Sequence, residues 1–105
     1  MLDEKIDQLV QMLEKQEMEA TNISVTIYTE LLAAYLYQGD LNNANYLWKR
    51  IPVSIKQGNR ELERLQKIYR HLIDNDYPAF YRALDFDWSR NIAEIIETRV
   101  LEYNQ

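Results

Sequence analysis

A chain of 105 residues with 47% hydrophobic side chains and only two glycines and two prolines has apolar material for one layered core and too few breakers for disorder. Its net charge of −5 argues against nucleic acid as principal partner, because neutralising phosphates takes clustered Lys and Arg. With no cysteine there can be no disulfide, thiol nucleophile or Cys-based metal site, which fits a reducing compartment.

The N-terminus opens with the acidic Asp3 and Glu4, where a secretion signal would need positive charge and then an apolar run. No apolar stretch approaches the ~20 residues of a membrane span. Neither leader nor membrane anchor is therefore expected. Asn22-Ile-Ser24 matches a glycosylation acceptor, but without a leader it reads as a chance tripeptide.

Helical periodicity then predicts about six helices in chain order. Leu2, Ile6, Leu9, Val10 and Leu13 make the first stripe. Thr21 to Ser24 is polar punctuation, and a second helix from about Thr26 carries Ile27, Tyr28, Leu31, Leu32, Tyr35 and Leu36. Gly39 suits the left-handed position that ends it, and Asp40 caps the third helix. The third stripe is Leu41, Ala44, Leu47, Trp48 and Ile51, stopped by Pro52, which lacks an N–H and disfavours helical geometry before it. Val53 to Gly58 reads as a turn or a single helical turn.

Asn59 caps a fourth helix bearing Leu62, Leu65, Tyr69, Leu72 and Ile73, closed by Asp74-Asn-Asp76. Pro78 falls in the first turn of a fifth, with Tyr77, Phe80, Tyr81 and Leu84. Asp85-Phe-Asp-Trp-Ser89 opens the sixth, with Ile92, Ile95, Ile96, Val100 and Tyr103. No useful run alternates with period two, so β-sheet is not expected.

The second and third helices match the spacing of a tetratricopeptide (TPR) unit: Tyr28, Leu31 and Tyr35 in the first helix, Ala44 and Trp48 in the second. Leu32 departs from it, since a small residue is expected where helices approach. A weaker copy follows at an offset of 36 residues, pairing Leu36 with Leu72, Asp40 with Asp76, Leu41 with Tyr77, Ala44 with Phe80 and Trp48 with Leu84. Arg64 and His71 stand where Tyr28 and Tyr35 stand in the first copy. The expected fold is all-α, a short right-handed TPR-like stack of about six antiparallel helices forming one domain over 1–105. Such a stack buries its stripes on neighbouring helices and offers its remaining surface to partners.

Candidate chemistry is sparse. Trp48 is expected to plug the groove between the second, third and fourth helices. Asp74-x-Asp76 and Asp85-x-Asp87 could be read as a carboxylate or divalent-metal pair, but each sits at a helix boundary, where Asp is favoured as a cap. No His-x-x-x-His, Glu-x-x-His or calcium-loop spacing accompanies them. His71, the single histidine, has no Ser, Thr or Cys partner in a recognisable motif. Arg60, Arg64, Lys67 and Arg70 interleave with Glu61, Glu63 and Asp74 as a mixed-charge solvated face. Of eight tyrosines, Tyr37, Tyr46, Tyr81 and Tyr103 are the expected exposed ones. No catalytic, cofactor-binding or metal-binding residue is assigned.

The run Leu41-Asn-Asn-Ala-Asn-Tyr-Leu-Trp-Lys-Arg-Ile-Pro52, followed by Ile55-Lys56, resembles the small PCI-domain subunits of the COP-nine (constitutive photomorphogenesis) signalosome. Gln16-Glu-Met-Glu-Ala20, Leu31-Leu-Ala-Ala-Tyr-Leu36, Asp76-Tyr-Pro-Ala-Phe-Tyr81 and Trp88-Ser89 extend the resemblance, in order, over nearly the whole chain. It implies a TPR-like helical part followed by a winged helix, and a non-catalytic scaffold that joins other PCI subunits in the cytoplasm and nucleus. The signalosome removes the ubiquitin-like protein NEDD8 from cullins through a metal-dependent isopeptidase in a different subunit. Relatives also occur in the proteasome lid and in translation initiation factor three. Residues after the sixth helix leave no room for a three-stranded wing, so the winged-helix part is expected to be absent from 1–105.

The interaction face expected is the outward side of the third helix, Asn42, Asn45, Tyr46, Lys49 and Arg50, because Leu41, Ala44, Leu47 and Trp48 point inward. Partners are expected to be proteins, with no nucleic acid, membrane or small-molecule substrate. The contrasting reading, a small metal-dependent hydrolase using the paired aspartates, would require metal-dependent activity of the isolated chain.

Overall fold

Leu31-Leu-Ala-Ala-Tyr-Leu-Tyr37 carries no charge and no amide over two helical turns, so a helix through it is apolar on every side and must be enclosed. The computed structural model describes residues 2–19 and 25–103, with side chains over 4–19 and 25–96, and builds the fold around that helix. Among the described residues there are seven helices and no strand: α1 (Leu2–Glu19), α2 (Val25–Gln38), α3 (Leu41–Arg50), α4 (Val53–Lys56), α5 (Arg60–Ile73), α6 (Tyr77–Leu84) and α7 (Arg90–Tyr103). The segment Val53 to Gly58 supplies the extra one, a single turn. The helices read from periodicity as fourth, fifth and sixth are thus α5, α6 and α7.

Helix α2 packs against α1, α3, α5 and α7, and α6 packs against α5, its Phe80 and Ala83 joining the same core. Tyr28, Leu31, Leu32, Ala33, Ala34, Tyr35, Leu36 and Tyr37 are all buried in α2. Ile6, Val10 and Leu13 from α1, Ala44 and Leu47 from α3, Leu62, Leu65 and Ile68 from α5, and Ile92, Ile95 and Ile96 from α7 close around them in one core. Thr29, buried among these, returns its hydroxyl to the Val25 carbonyl at 2.7 Å, so its polar atom is satisfied inside the helix.

Polar contacts show the direction of α1. Gln38 Nε2 donates to Asp7 Oδ1 at 2.6 Å, and Tyr35 Oη donates to Glu14 Oε2 at 2.7 Å. The number on α1 rises as that on α2 falls, so the two helices are antiparallel. Burial first, then the Glu14 hydrogen bond and charge, pushes the Tyr35 hydroxyl well above the usual tyrosine range. Tyr28 is raised for the same leading reason.

The two inter-helix turns at the 36-residue offset share the same pair of closing hydrogen bonds. At the end of α2, Gly39 N–H donates to Leu36 O at 3.1 Å and Asp40 N–H to Tyr35 O at 2.9 Å; after α5, Asn75 N–H donates to Leu72 O at 3.2 Å and Asp76 N–H to His71 O at 2.9 Å. Both are Schellman endings, with Gly39 at φ 72° and Asn75 at φ 56° in the left-handed position. Each aspartate then caps the next helix, Asp40 accepting from Asn43 N–H and Asp76 from Ala79 N–H, both at 3.2 Å. Asn59 caps α5 in the same way, accepting from Leu62 N–H at 3.0 Å. Pro52 ends α3, leaving Ile51 extended and buried.

Several expectations are corrected by packing. Tyr37, expected at the surface, is 4% exposed, because α2 has neighbours on every side. Trp48 does not plug the interior: Ala44 and Leu47 take the deep positions, and the indole lies half-buried at the core margin under the Lys56 ammonium, 4.7 Å from its centroid. On α5 Ile68 joins Leu62 and Leu65 in the core, while Ile73 is exposed at the helix end. Helix α7 begins at Arg90 rather than in the Asp85-to-Ser89 run. In that run the Trp88 indole donates to the Leu84 carbonyl at 2.9 Å, and the Phe86 ring lies tilted against the Trp88 ring, 4.8 Å between centroids. Thr21 to Ser24, with the Asn22 acceptor, lies outside the described residues, as do the side chains of Leu2, Val100 and Tyr103.

Two outcomes follow. A Cβ on Gly39 would meet nothing within 4 Å, so Gly39→Ala tests backbone strain alone. It should cost about 1–2 kcal/mol in urea unfolding, and Gly39→Asn less, since Asn75 already occupies the equivalent position. Second, Tyr28 and Tyr35 ionise at higher pH folded than unfolded, so the unfolded chain releases protons first and stability should fall as pH rises above about 10. The double change Tyr28→Phe/Tyr35→Phe should flatten that alkaline decline in a pH series of melting curves.

Candidate interaction face

Helix α3 is amphipathic over its full length, with Ala44 and Leu47 buried against α2 and Ile51 closing the same stripe. The opposite side falls at the spacings of Asn42, Asn45, Tyr46 and Lys49. Asn42 and Lys49 are exposed, Asn45 is half-buried, and Tyr46 is 58% exposed, a large aromatic residue to leave in water. The Asp40 cap fixes where this helix begins and Pro52 where it stops, so the face is carried on a rigid element with both ends defined.

Arg50 differs from the other four. Its guanidinium turns to α1 and forms a bidentate pair with Glu17, Nε to Oε2 at 3.1 Å and Nη2 to Oε1 at 3.0 Å. That hydrogen bond, partly opposed by burial, raises the arginine's already high pKa. Fork-to-carboxylate pairing is among the stronger polar contacts a surface offers. Its work here is internal: it ties the C-terminal end of α1 to that of α3. The expected five-residue face is thus four outward residues plus a flank residue engaged within the chain.

Two participants escape a reading of the sequence. Glu17 is one, 33 positions from Arg50, and no local spacing links them. Lys56 is the other. Its ammonium stands over Trp48 across the Pro52 break, where helical phase is lost and periodicity cannot place one residue relative to the other. With Lys49 it adds a second cation to the end of the α3 face, and Val53, 63% exposed, lies between them in sequence. Tyr81 is exposed as expected, and Tyr77 with it, on α6.

The carboxylates considered for catalysis are spread over helix ends and loops. Asp76 caps α6, Asp74 closes α5, Asp85 closes α6 and Asp87 is exposed in the link to α7. His71 is half-buried on the side of α5. Among the described residues no three His, Cys, Asp or Glu side chains gather as a metal site would require. The crevice among Ala33, Leu65, Phe80 and Ile96 is apolar and measures about 20 Å³, room for one water. Among the described residues no helix is long and apolar enough to cross a membrane.

The comparisons with known proteins bear on this arrangement. The model of the CSN8/PSMD8/EIF3K family matches residues 22–99, which takes in α2 to α6 and most of α7. The protein named COP9 signalosome complex subunit 8 of Xenopus laevis is 42% identical over 87 residues, covering 80% of this chain and 45% of that protein. Its counterpart of the same name in Danio rerio is 39% identical over 99 residues, covering 91% of this chain and 50% of that protein, and the one in Drosophila melanogaster is 32% identical over 93 residues, with 89% and 50% covered. The chain spans about half the length of the curated relatives it matches. With an all-helical stack and a family match over three quarters of its residues, this chain belongs to the CSN8/PSMD8/EIF3K family.

Proposed function

We propose that this chain is a non-catalytic interaction subunit of a COP9 signalosome, present in cytoplasm and nucleus, where it supports the removal of NEDD8 from cullins by another subunit. The observation that carries the reading is the identity to signalosome subunit 8 proteins from animals and beyond, 42% to the frog protein and 31% to that of Dictyostelium discoideum. Residues 1–105 act as the helical, N-terminal PCI-type part, a short right-handed TPR-like stack. Its two helix turns at the 36-residue offset, closed by the same pair of Schellman hydrogen bonds, support the repeat reading. Sister PCI subunits are its partners.

The face assigned to that contact is Asn42, Asn45, Tyr46 and Lys49 on α3, with Arg50 at its edge. Tyrosine is among the residues that carry most binding energy at protein interfaces, and a neighbouring lysine adds charge for orientation. The α3 face presents it on a helix whose other side is locked in the core. Arg50 would contribute through orientation, holding α1 against α3 by way of Glu17. The family also contains proteasome-lid and initiation-factor subunits, so membership of one of those assemblies is the second reading.

Affinity capture of the tagged chain followed by mass spectrometry separates the two. Signalosome subunits should be recovered in stoichiometric amounts; recovery of lid or initiation-factor subunits in their place would reassign the chain. Tyr46→Ala and Lys49→Glu should each lower that recovery by about tenfold, the loss of a central interface residue, with helical circular dichroism unchanged. Full recovery with both variants would reject the α3 face. Arg50→Glu sets a like charge against Glu17 and should lower the melting temperature as well, which marks it as a structural residue.

A further inference from the structure

The charge of this chain is sharply segregated. Between residues 41 and 73 there are seven Lys and Arg against two Asp and Glu, while the rest of the chain carries a surplus of ten acidic charges. Arg60, Arg64 and Lys67 follow one another on α5 at spacings of four and three, which sets them along one edge of the helix. Arg60 and Lys67 are exposed and Arg64 is half-buried. None of the three forms an ion pair among the described residues. Glu61, the acidic neighbour in sequence, is engaged by a neutral partner, accepting from Ser89 Oγ at 3.0 Å and Ser89 N–H at 3.4 Å just before α7.

The two guanidinium groups are nevertheless held in place. Both stand over the Phe86 ring, Arg64 at 4.7 Å and Arg60 at 5.8 Å from its centroid, and Phe86 is itself braced against Trp88. Arginines fixed by an aromatic ring keep their fork of donors free while losing the rotamer freedom that binding would otherwise cost. Beside them opens a hollow of about 450 Å³ between the α4–α5 turn and the α6–α7 link, lined by Gly58, Asn59, Arg60, Glu61, Phe86 and Asp87. Glu61 and Asp87 are the two acidic residues of its lining, and one of them, Glu61, is engaged by Ser89.

We propose that the Arg60–Arg64–Phe86 shelf is a docking site for an acidic segment of a partner polypeptide, whose carboxylates pair with the two guanidinium forks. The surface lies on α5 and the link before α7, so it stands independently of the α3 face. Charge complementarity selects the occupant: the shelf is a basic island on an acidic protein, and a planar fork matches a carboxylate in two hydrogen bonds. The same complementarity could be met by the acidic ends of a second copy, and the test distinguishes the two.

A short fluorescein-labelled oligoglutamate peptide, titrated by fluorescence anisotropy at low salt, should bind the chain saturably and be released as salt is raised. Arg60→Ala/Arg64→Ala should weaken binding by about tenfold or more, the loss of hydrogen bonds to a charged group. Lys5→Ala/Lys15→Ala, which removes the same net charge elsewhere, should leave it unchanged. Arg60→Lys/Arg64→Lys keeps the charge and the fold but loses the forks, and should also weaken it. Asp87→Asn should strengthen it. Absence of saturable binding, or an equal loss with the Lys5/Lys15 variant, would overturn the proposal. So would a concentration-dependent dimer abolished by the Arg60/Arg64 changes in light scattering, since the occupant would then be a second copy.

Discussion

Enclosing α2 is the constraint from which the rest of this structure follows. A helix with leucine, alanine and tyrosine on every side has no face that water can be given, so it needs neighbours all round. α1, α3, α5 and α7 supply them. Ala33 and Ala34 are nearly inaccessible, and their small side chains let the surrounding helices come close. The relation is mutual: each outer helix has one apolar stripe, and α2 is the surface on which four of those stripes are buried together.

Enclosure brings tyrosine hydroxyls and a threonine hydroxyl into or near the core, and each must find a partner. Tyr35 reaches Glu14 and Thr29 bonds back along its own helix. Among the described residues no buried side-chain polar atom is left without a partner. The carboxylates of α1 therefore have a structural use beyond solubility. Asp7, Glu14 and Glu17 engage Gln38, Tyr35 and Arg50 in turn, fixing the direction and register of α1 against the α2–α3 pair. A hydrophobic stripe alone would tolerate sliding; three polar contacts at set distances do not.

What is left outside is what the protein can use. The core consumes the inner face of α3 and leaves Asn42, Tyr46 and Lys49 in solvent on a helix with defined ends. Packing of α7 uses Ser89 to draw Glu61 aside and Phe86 to collect two arginines, leaving a basic shelf within an acidic chain. Two surfaces of different character thus arise as by-products of one burial problem. Neither contains the converging nucleophile, base and orienting group that catalysis by side chains requires.

Local chemistry is legible in the amino-acid sequence. Gly39, Asp40, Pro52, Asn59, Asp76 and Pro78 mark helix boundaries correctly, because caps and breakers act through backbone atoms a few residues away. The stripes of α1 and α3 are legible for the same reason, a period of 3.6 residues read on a single face. The offset of 36 residues is visible too, since both turns depend on a left-handed residue followed by a capping aspartate. Tyr37 defeats the one-face rule because its helix has neighbours on all sides; the unbroken apolar run from Leu31 to Tyr37 is the available signal. Trp48 lies shallower than its size and stripe position suggest, because neither says how near the facing helix stands. Arg50's turn toward Glu17, Lys56 over Trp48 and the two arginines on Phe86 join residues across chain breaks or tens of positions. Sequence alone determined the capped and proline-stopped helix ends and that the helices must pack as an all-helical stack; where α7 begins, which polar side chains are spent inside that stack and which stay in solvent was decided only when the helices met, because that depends on distances no local pattern encodes.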